Sequence, residues 1–179
     1  MTRRRCERVE RKSRAKQVAL LGMLGAVAIV LSWLEGMLGP VPGLPPGAKL
    51  GLSNVATMLA ASTMGPGSAL AIALLKGLFA GLTRGLTAGL MSLSGGLLST
   101  GVVCLLLWWK RCPLGFIGIG IAGAVCHNMG QLLVSFLLTN AAVFAYLPFL
   151  LLFALPAGAV TGLTLHILLP AFSRLRGEI

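Results

Sequence analysis

The sequence predicts an all-α, polytopic membrane protein: a bundle of six transmembrane helices. Three observations lead there. Of 179 residues, 56% are hydrophobic and only 11% are charged, against roughly 25% in a soluble domain. So few charges cannot coat a globule of this size, and the mean hydropathy is +0.92. Finally, charges and helix breakers divide the chain into six apolar stretches, most of them near the ~20 residues that cross a bilayer.

The first stretch covers about 17–35. It ends before Gly36-Met37-Leu38-Gly39-Pro40-Val41-Pro42-Gly43-Leu44-Pro45-Pro46-Gly47, where prolines without N–H groups and turn-favouring glycines exclude a helix. The apolar run Val18 to Leu34 is long for a secretory signal, and no small-x-small cleavage site follows, so it is expected to be retained. The second helix is expected at about 50–64, closed by Gly65-Pro66-Gly67, and the third at about 68–84, rich in glycine. The fourth, about 87–109, stops at Lys110, Arg111 and Pro113. The fifth runs about 116–138 and the sixth about 147–169, with Pro170 as its stop. The organisation is then a basic tail over 1–16, one membrane domain over 17–170 and a short C-terminal tail over 171–179.

The net charge of +11 raises nucleic-acid binding only to exclude it. Eight of the fifteen basic residues lie within the first sixteen positions, and the rest of the chain offers no basic face for a duplex. The charge instead reports topology, with possible contact to anionic headgroups. With six crossings, one side carries the eight tail residues plus Lys110, Arg111, Arg174 and Arg176, and the other only Lys49 and Arg84. Twelve against two places both termini in the cytoplasm and the protein in the inner membrane.

Several chemistries are excluded. The four cysteines, Cys6, Cys104, Cys112 and Cys126, form no C-x-x-C pair and no metal spacing with histidine. Gly118-Ile119-Gly120-Ile121-Ala122-Gly123 spells a dinucleotide fingerprint, but within an apolar helix and with no acid downstream before Glu178. It reads as helix-packing glycine. No phosphate-binding loop, Ser-His-acid set or carboxylate pair occurs. Neither an enzyme nor a cofactor or metal site is expected.

Polar groups at membrane depth are costly, so they carry the functional hypotheses. His127, Asn128 and Gln131 fall near the middle of the fifth helix, and His127 and Gln131 share a face one turn apart. Such a face must point into the bundle, as an interhelical hydrogen-bond knot, a substrate contact, or a metal or proton relay. Lys76 falls at the midpoint of the third helix, Arg84 two turns further, and Lys49 at the start of the second. These cations outnumber their one counter-charge, Glu35. They either snorkel to headgroups or neutralise an anionic ligand group. Glycines four apart (Gly77 and Gly81, Gly81 and Gly85, Gly85 and Gly89, Gly158 and Gly162), and the stripe Ala15, Ala19, Gly22 and Ala26 on the first helix, let helices approach closely. They do so within the bundle or against another membrane subunit.

Three segments carry a family resemblance: Lys49-Leu50-Gly51-Leu52-Ser53-Asn54-Val55, Ser94-Gly95-Gly96-Leu97-Leu98-Ser99, and Ala124-Val125-Cys126-His127-Asn128-Met129-Gly130-Gln131. They resemble the Gx transporter family, which also goes by the description heptaprenyl diphosphate synthase component I. The resemblance runs from about 17 to 170. That family is similar in turn to the S components of energy-coupling factor (ECF) transporters, six-helix proteins that capture nutrients and work with a coupling transmembrane protein and two ATPases. The resemblance implies a substrate-binding membrane subunit importing a small anionic or amphipathic nutrient. The loop before the second helix would cover a site that includes Lys49, Asn54, Lys76, Arg84, His127, Asn128 and Gln131. Helices four to six would supply most of its walls, and Ala15, Ala19, Gly22 and Ala26 would dock the coupling subunit, although only Ala15 and Ala19 keep strict Ala-x-x-x-Ala spacing. The alternative is a non-catalytic membrane partner of a polyprenyl diphosphate synthase. Catalysis itself is excluded, since prenyl elongation holds Mg²⁺ through clustered aspartates and this chain has none.

The charge asymmetry yields a direct expectation. Reporter fusions at residue 44 and at the C-terminal end should report opposite sides of the membrane; the same side for both would refute six crossings.

Overall fold

The computed structural model describes residues 2–37, 51–109 and 113–176. Among them are six α-helices: α1 (Thr2–Met37), α2 (Asn54–Met64), α3 (Pro66–Arg84), α4 (Leu86–Trp108), α5 (Phe116–Leu138) and α6 (Leu147–Arg176), with a 3-10 turn at Ala141–Tyr146 before α6. No strand occurs among the described residues. This is what a bilayer demands, because only helices satisfy every backbone donor and acceptor within one segment.

The expected helices are present with shifted ends. α1 continues back through the basic stretch to Thr2, a stretch free of glycine and proline and rich in good helix formers. α2 starts later than expected, at Asn54. Gly51 takes φ +86°, a conformation open to glycine, and the turn closes with Asn54 N–H donating to the Gly51 carbonyl at 2.9 Å. α3 begins at Pro66, where a missing N–H costs nothing. α6 passes through both Pro156 and Pro170, so Pro170 is not the stop the sequence suggested. A proline gives up one hydrogen bond, but its fixed φ fits a helix, and one lost bond need not end it.

Five segments are long and apolar enough to cross a membrane: Arg14–Met37, Pro66–Arg84, Leu86–Trp108, Phe116–Leu138 and Ala141–Phe172. α2, with 11 residues, extends only about 16 Å and does not reach that length by itself. It nonetheless runs antiparallel to α1. At its start the Leu52 N–H donates to Glu35 Oε1 at 2.7 Å, and at its end Met64 and Ser68 share a cleft with Gln17 and Val18. The chain therefore reverses at every connection. The start of α1 and the end of α6 lie at one end of the bundle, where Leu21, Met64, Phe116, Leu169 and Phe172 gather on one apolar cluster. At the other end, Leu132, Val143 and Leu150 pack together.

Glycine sets the helix spacing. A Cβ on Gly89 would lie 2.7 Å from the Gly81 Cα, one on Gly130 2.7 Å from the Gly95 Cα, and one on Gly120 2.7 Å from the Gly162 N. Backbone thus meets backbone across α3–α4, α4–α5 and α5–α6. The fingerprint-like glycines of α5 are packing residues: Gly120 faces Gly158 and Gly162, and Gly123 faces Val103 and Ser99. Gly85 departs from the four-residue ladder, since it is the α3–α4 connector at φ +91°. In lipid, where apolar surface has no preference for protein over acyl chain, such close packing and its dispersion energy hold helices together.

Gly120→Ala should therefore lower the thermal midpoint in detergent, by overpacking worth about 1–3 kcal/mol. Gly101→Ala, whose Cβ would meet nothing within 4 Å, should leave it unchanged. Equal effects from the two would contradict this packing.

Candidate functional site

The inward face of α3 carries Ala69, Ile72, Ala73, Lys76, Gly77 and Ala80, all buried, while Leu74, Leu75, Leu78 and Leu82 face outward. That periodicity puts a lysine inside the bundle with 1% of its surface exposed. Its ammonium does not reach for either end of the helix. Nζ donates to Asn54 Oδ1 at 2.7 Å, linking α3 to the first residue of α2.

Asn54 is placed by the turn that opens α2. A Cβ on Gly51 would lie 2.8 Å from Asn54 Nδ2 and 3.2 Å from His127 Cδ2, so Gly51 sits between the α2 amide and the α5 imidazole. On α5, Gln131 Nε2 and His127 Nε2 are hydrogen-bonded at 2.8 Å, one turn apart. α4 presses on the same ring: a Cβ on Gly95 would come within 2.9 Å of His127 Nδ1. Ser94 Oγ donates to the Gly130 carbonyl at 2.7 Å. Asn128 turns the other way and donates from Nδ2 to the Leu150 carbonyl of α6 at 2.8 Å.

Four helices thus converge on Asn54, Lys76, His127 and Gln131, with Asn128 adjacent and tied to α6. All five are buried. Three buried atoms here have no hydrogen-bond partner among the described residues: Asn54 Nδ2, Asn128 Oδ1 and Thr100 Oγ1. Beside Asn54 lies a cavity of about 10 Å³, walled by Thr57, Ser99, Thr100 and Thr161, which is about one water's worth of space. The cluster is accordingly closed and dry of larger space. No group of three or more metal-ligating side chains occurs among the described residues.

The remaining candidates are placed elsewhere. Arg84 lies at the far end of α3 with its side chain across Gly36 of α1, apart from Lys76. Lys49 lies outside the described residues. Asn140 caps the 3-10 turn by accepting from the Ala142 N–H at 2.9 Å. Ala15, Ala19, Gly22 and Ala26 all face outward, and a Cβ on Gly22 would meet nothing within 4 Å. The small-residue stripe is therefore not spent on packing inside the bundle, whereas Leu24, Ala28 and Ser32 of the same helix are buried.

Sequence reasoning missed three contributors. Glu35 reads as a counter-charge, yet its Oε1 accepts the Leu52 N–H at 2.7 Å and so anchors the entry to α2, while its charge also acts on Lys76 and Arg84. Gly51 and Gly95 lie in the segments that carry the resemblance without a role of their own there; Gly51 leaves room beside Asn54 and His127, and Gly95 leaves room for the His127 ring. In the polar cluster itself α2 and α3 contribute as directly as α4 and α5. The one available signal was Glu35's isolation as a carboxylate in an apolar segment.

The fold has a solved counterpart. A structure described as "Structure and mechanism of the S component of a bacterial ECF transporter" matches over 92% of this chain and 98% of that chain, with TM-score 0.50 and 21% identity. The likeness is one of fold and agrees with the expected six-helix S-component architecture. The riboflavin transporter RibU of Staphylococcus aureus (strain TCH60) is 38% identical over 63 residues, 35% of this chain. The match spans about a third of that relative's length, 32%. Both are named for transport and neither for catalysis. A family match covers residues 24–168, and on it the chain belongs to the family described as heptaprenyl diphosphate synthase component I.

Proposed function

We propose that this chain is the substrate-binding membrane subunit of an ECF-type transporter and captures a small anionic or amphipathic nutrient. Lys76 carries the reading. A buried ammonium whose hydrogen bond goes to a neutral amide is expensive to keep at membrane depth, and such residues are retained for function. An anionic group on a ligand would replace Asn54 with a charge-assisted partner. His127, Gln131 and the free oxygen of Asn128 would orient the rest of the molecule. Lys49 would add positive charge from the segment ahead of α2.

The closed geometry implies a moving part. Small-molecule sites occupy about 300–1,000 Å³, and the cavity beside Asn54 is about 10 Å³. Entry requires the turn at Gly51–Asn54 to leave the polar cluster, which breaks the Glu35–Leu52 and Asn54–Lys76 bonds. The basic end of the bundle faces the cytoplasm in this reading, so the turn opens outward. The outward stripe Ala15, Ala19, Gly22 and Ala26 offers a close-packing face for a coupling transmembrane protein that joins ATPase subunits.

A second reading follows from the family description: a non-catalytic membrane partner of a heptaprenyl diphosphate synthase. A chain without aspartate would accompany such an enzyme rather than perform its Mg²⁺ chemistry. Co-purification separates the two, with ATPase subunits supporting transport and a soluble prenyl synthase supporting the partner role.

Ligand-induced thermal stabilisation tests the site, with riboflavin, the compound in the relative's name, as first probe and anionic nutrients as the second set. Once a ligand is found, Lys76→Met should weaken it about ten- to a hundredfold, the loss of a charge-assisted bond of ~1.5–3 kcal/mol. Unchanged affinity would return Lys76 to a packing role.

Asn128→Ala and Gln131→Ala should reduce ligand-induced stabilisation more than the stability of the empty protein, since hydrogen bonds between membrane helices average only about 0.6 kcal/mol. Variants that melt early yet keep full affinity would show that α5's polar groups only hold the bundle together.

A further inference from the structure

A second cation site stands apart from the Lys76 cluster. Between α1 and α3, at the end away from the basic tail, lies a crevice of about 160 Å³ lined by Ser32, Trp33, Gly36, Phe79, Thr83 and Arg84. The missing side chain at Gly36 makes room for the arginine: a Cβ there would lie 3.3 Å from Arg84 Cδ and 3.6 Å from Nη1. The guanidinium is thereby laid across α1 instead of extending freely to the membrane surface. Its Nη2 is buried and has no hydrogen-bond partner among the described residues. Glu35 makes no hydrogen bond to it among the described residues: Oε1 accepts the Leu52 N–H, and Oε2 is buried without a partner there. Thr83 spends its hydroxyl proton on the Phe79 carbonyl at 2.8 Å.

The rim is apolar and outward-facing: Trp33 is 50% exposed, Met37 65% and Leu82 88%. An arginine fork suits phosphate oxygens, and an apolar rim suits acyl chain. The volume is below the roughly 300 Å³ of an ordinary nutrient pocket, but it admits a headgroup phosphate whose tail stays outside. We infer that the α1–α3 crevice binds the phosphate of an anionic membrane lipid through Arg84, with the acyl chain lying along Trp33 and Leu82. This is a lipid site distinct from the Lys76 cluster. It does not depend on the transport reading.

Native mass spectrometry of the full chain released from nanodiscs tests it, with phosphatidylglycerol and phosphatidylcholine of identical acyl chains as probes. The wild type should retain phosphatidylglycerol about tenfold or more over phosphatidylcholine, the size of one charge-assisted contact. Arg84→Gln should abolish that preference with an unchanged melting temperature. Arg84→Lys, which keeps the charge but not the fork, should retain part of it. Glycerol phosphate should fail to displace the lipid at equal concentration, because it lacks the tail. No preference in the wild type, or an undiminished preference in Arg84→Gln, would overturn the site. Displacement by glycerol phosphate at equal concentration would overturn the lipid assignment in favour of a free phosphate. Should Arg84→Gln melt early, Arg84→Lys decides: a reduced preference at an unchanged melting temperature supports the fork geometry, and an undiminished preference overturns it.

Discussion

A lysine ammonium inside an apolar bundle, held by one amide oxygen, constrains much of this molecule. Lys76 cannot snorkel, because its neighbours on the inward face of α3 are buried against other helices. It must be met where it stands, and Asn54 meets it at 2.7 Å. For that, α2 has to begin at Asn54, which requires the left-handed turn at Gly51 and the hold of Glu35 on the Leu52 amide. The start of α2 at Asn54 and the hold of Glu35 on the Leu52 amide both place the partner of one buried charge.

Around this point the bundle is stiff by construction. Backbone contacts backbone at Gly81–Gly89, Gly95–Gly130 and Gly120–Gly162, so α3 to α6 have little room to slide. By contrast, α2 meets the site through a three-residue turn and two polar bonds. Rigid helices carrying polar side chains, closed by a hydrogen-bonded turn, are an arrangement suited to capture. The polar bonds that close it are ones an anionic ligand group can replace in kind.

The family description names a prenyl diphosphate synthase component, and the chemistry of this chain bears on that name. A prenyl synthase needs hard oxygen ligands for Mg²⁺, whereas this chain supplies amides, an imidazole and two buried or half-buried cations. In the proposed transport role these groups would bind and orient an anion; they do not supply the oxygen ligands of a metal-diphosphate centre.

The sequence by itself determined the class, five of the helices to within a few residues at most ends, and the identity of the polar residues at membrane depth. It could do so because each rests on a local property: apolar length, the missing N–H of proline, or the cost of a polar side chain in lipid. Its errors were also local in origin. Pro170 reads as a stop only if one lost hydrogen bond must end a helix, and α6 continues to Arg176. What only the tertiary structure decided is which polar residues meet. Lys76 and Asn54 are 22 positions apart, Asn128 reaches α6 while its neighbour His127 faces Gln131, and Arg84 joins α1 rather than Lys76. Those partnerships depend on how far each helix is rotated and how closely glycine lets its neighbours approach, and rotation and approach are properties of pairs of helices that no single segment encodes.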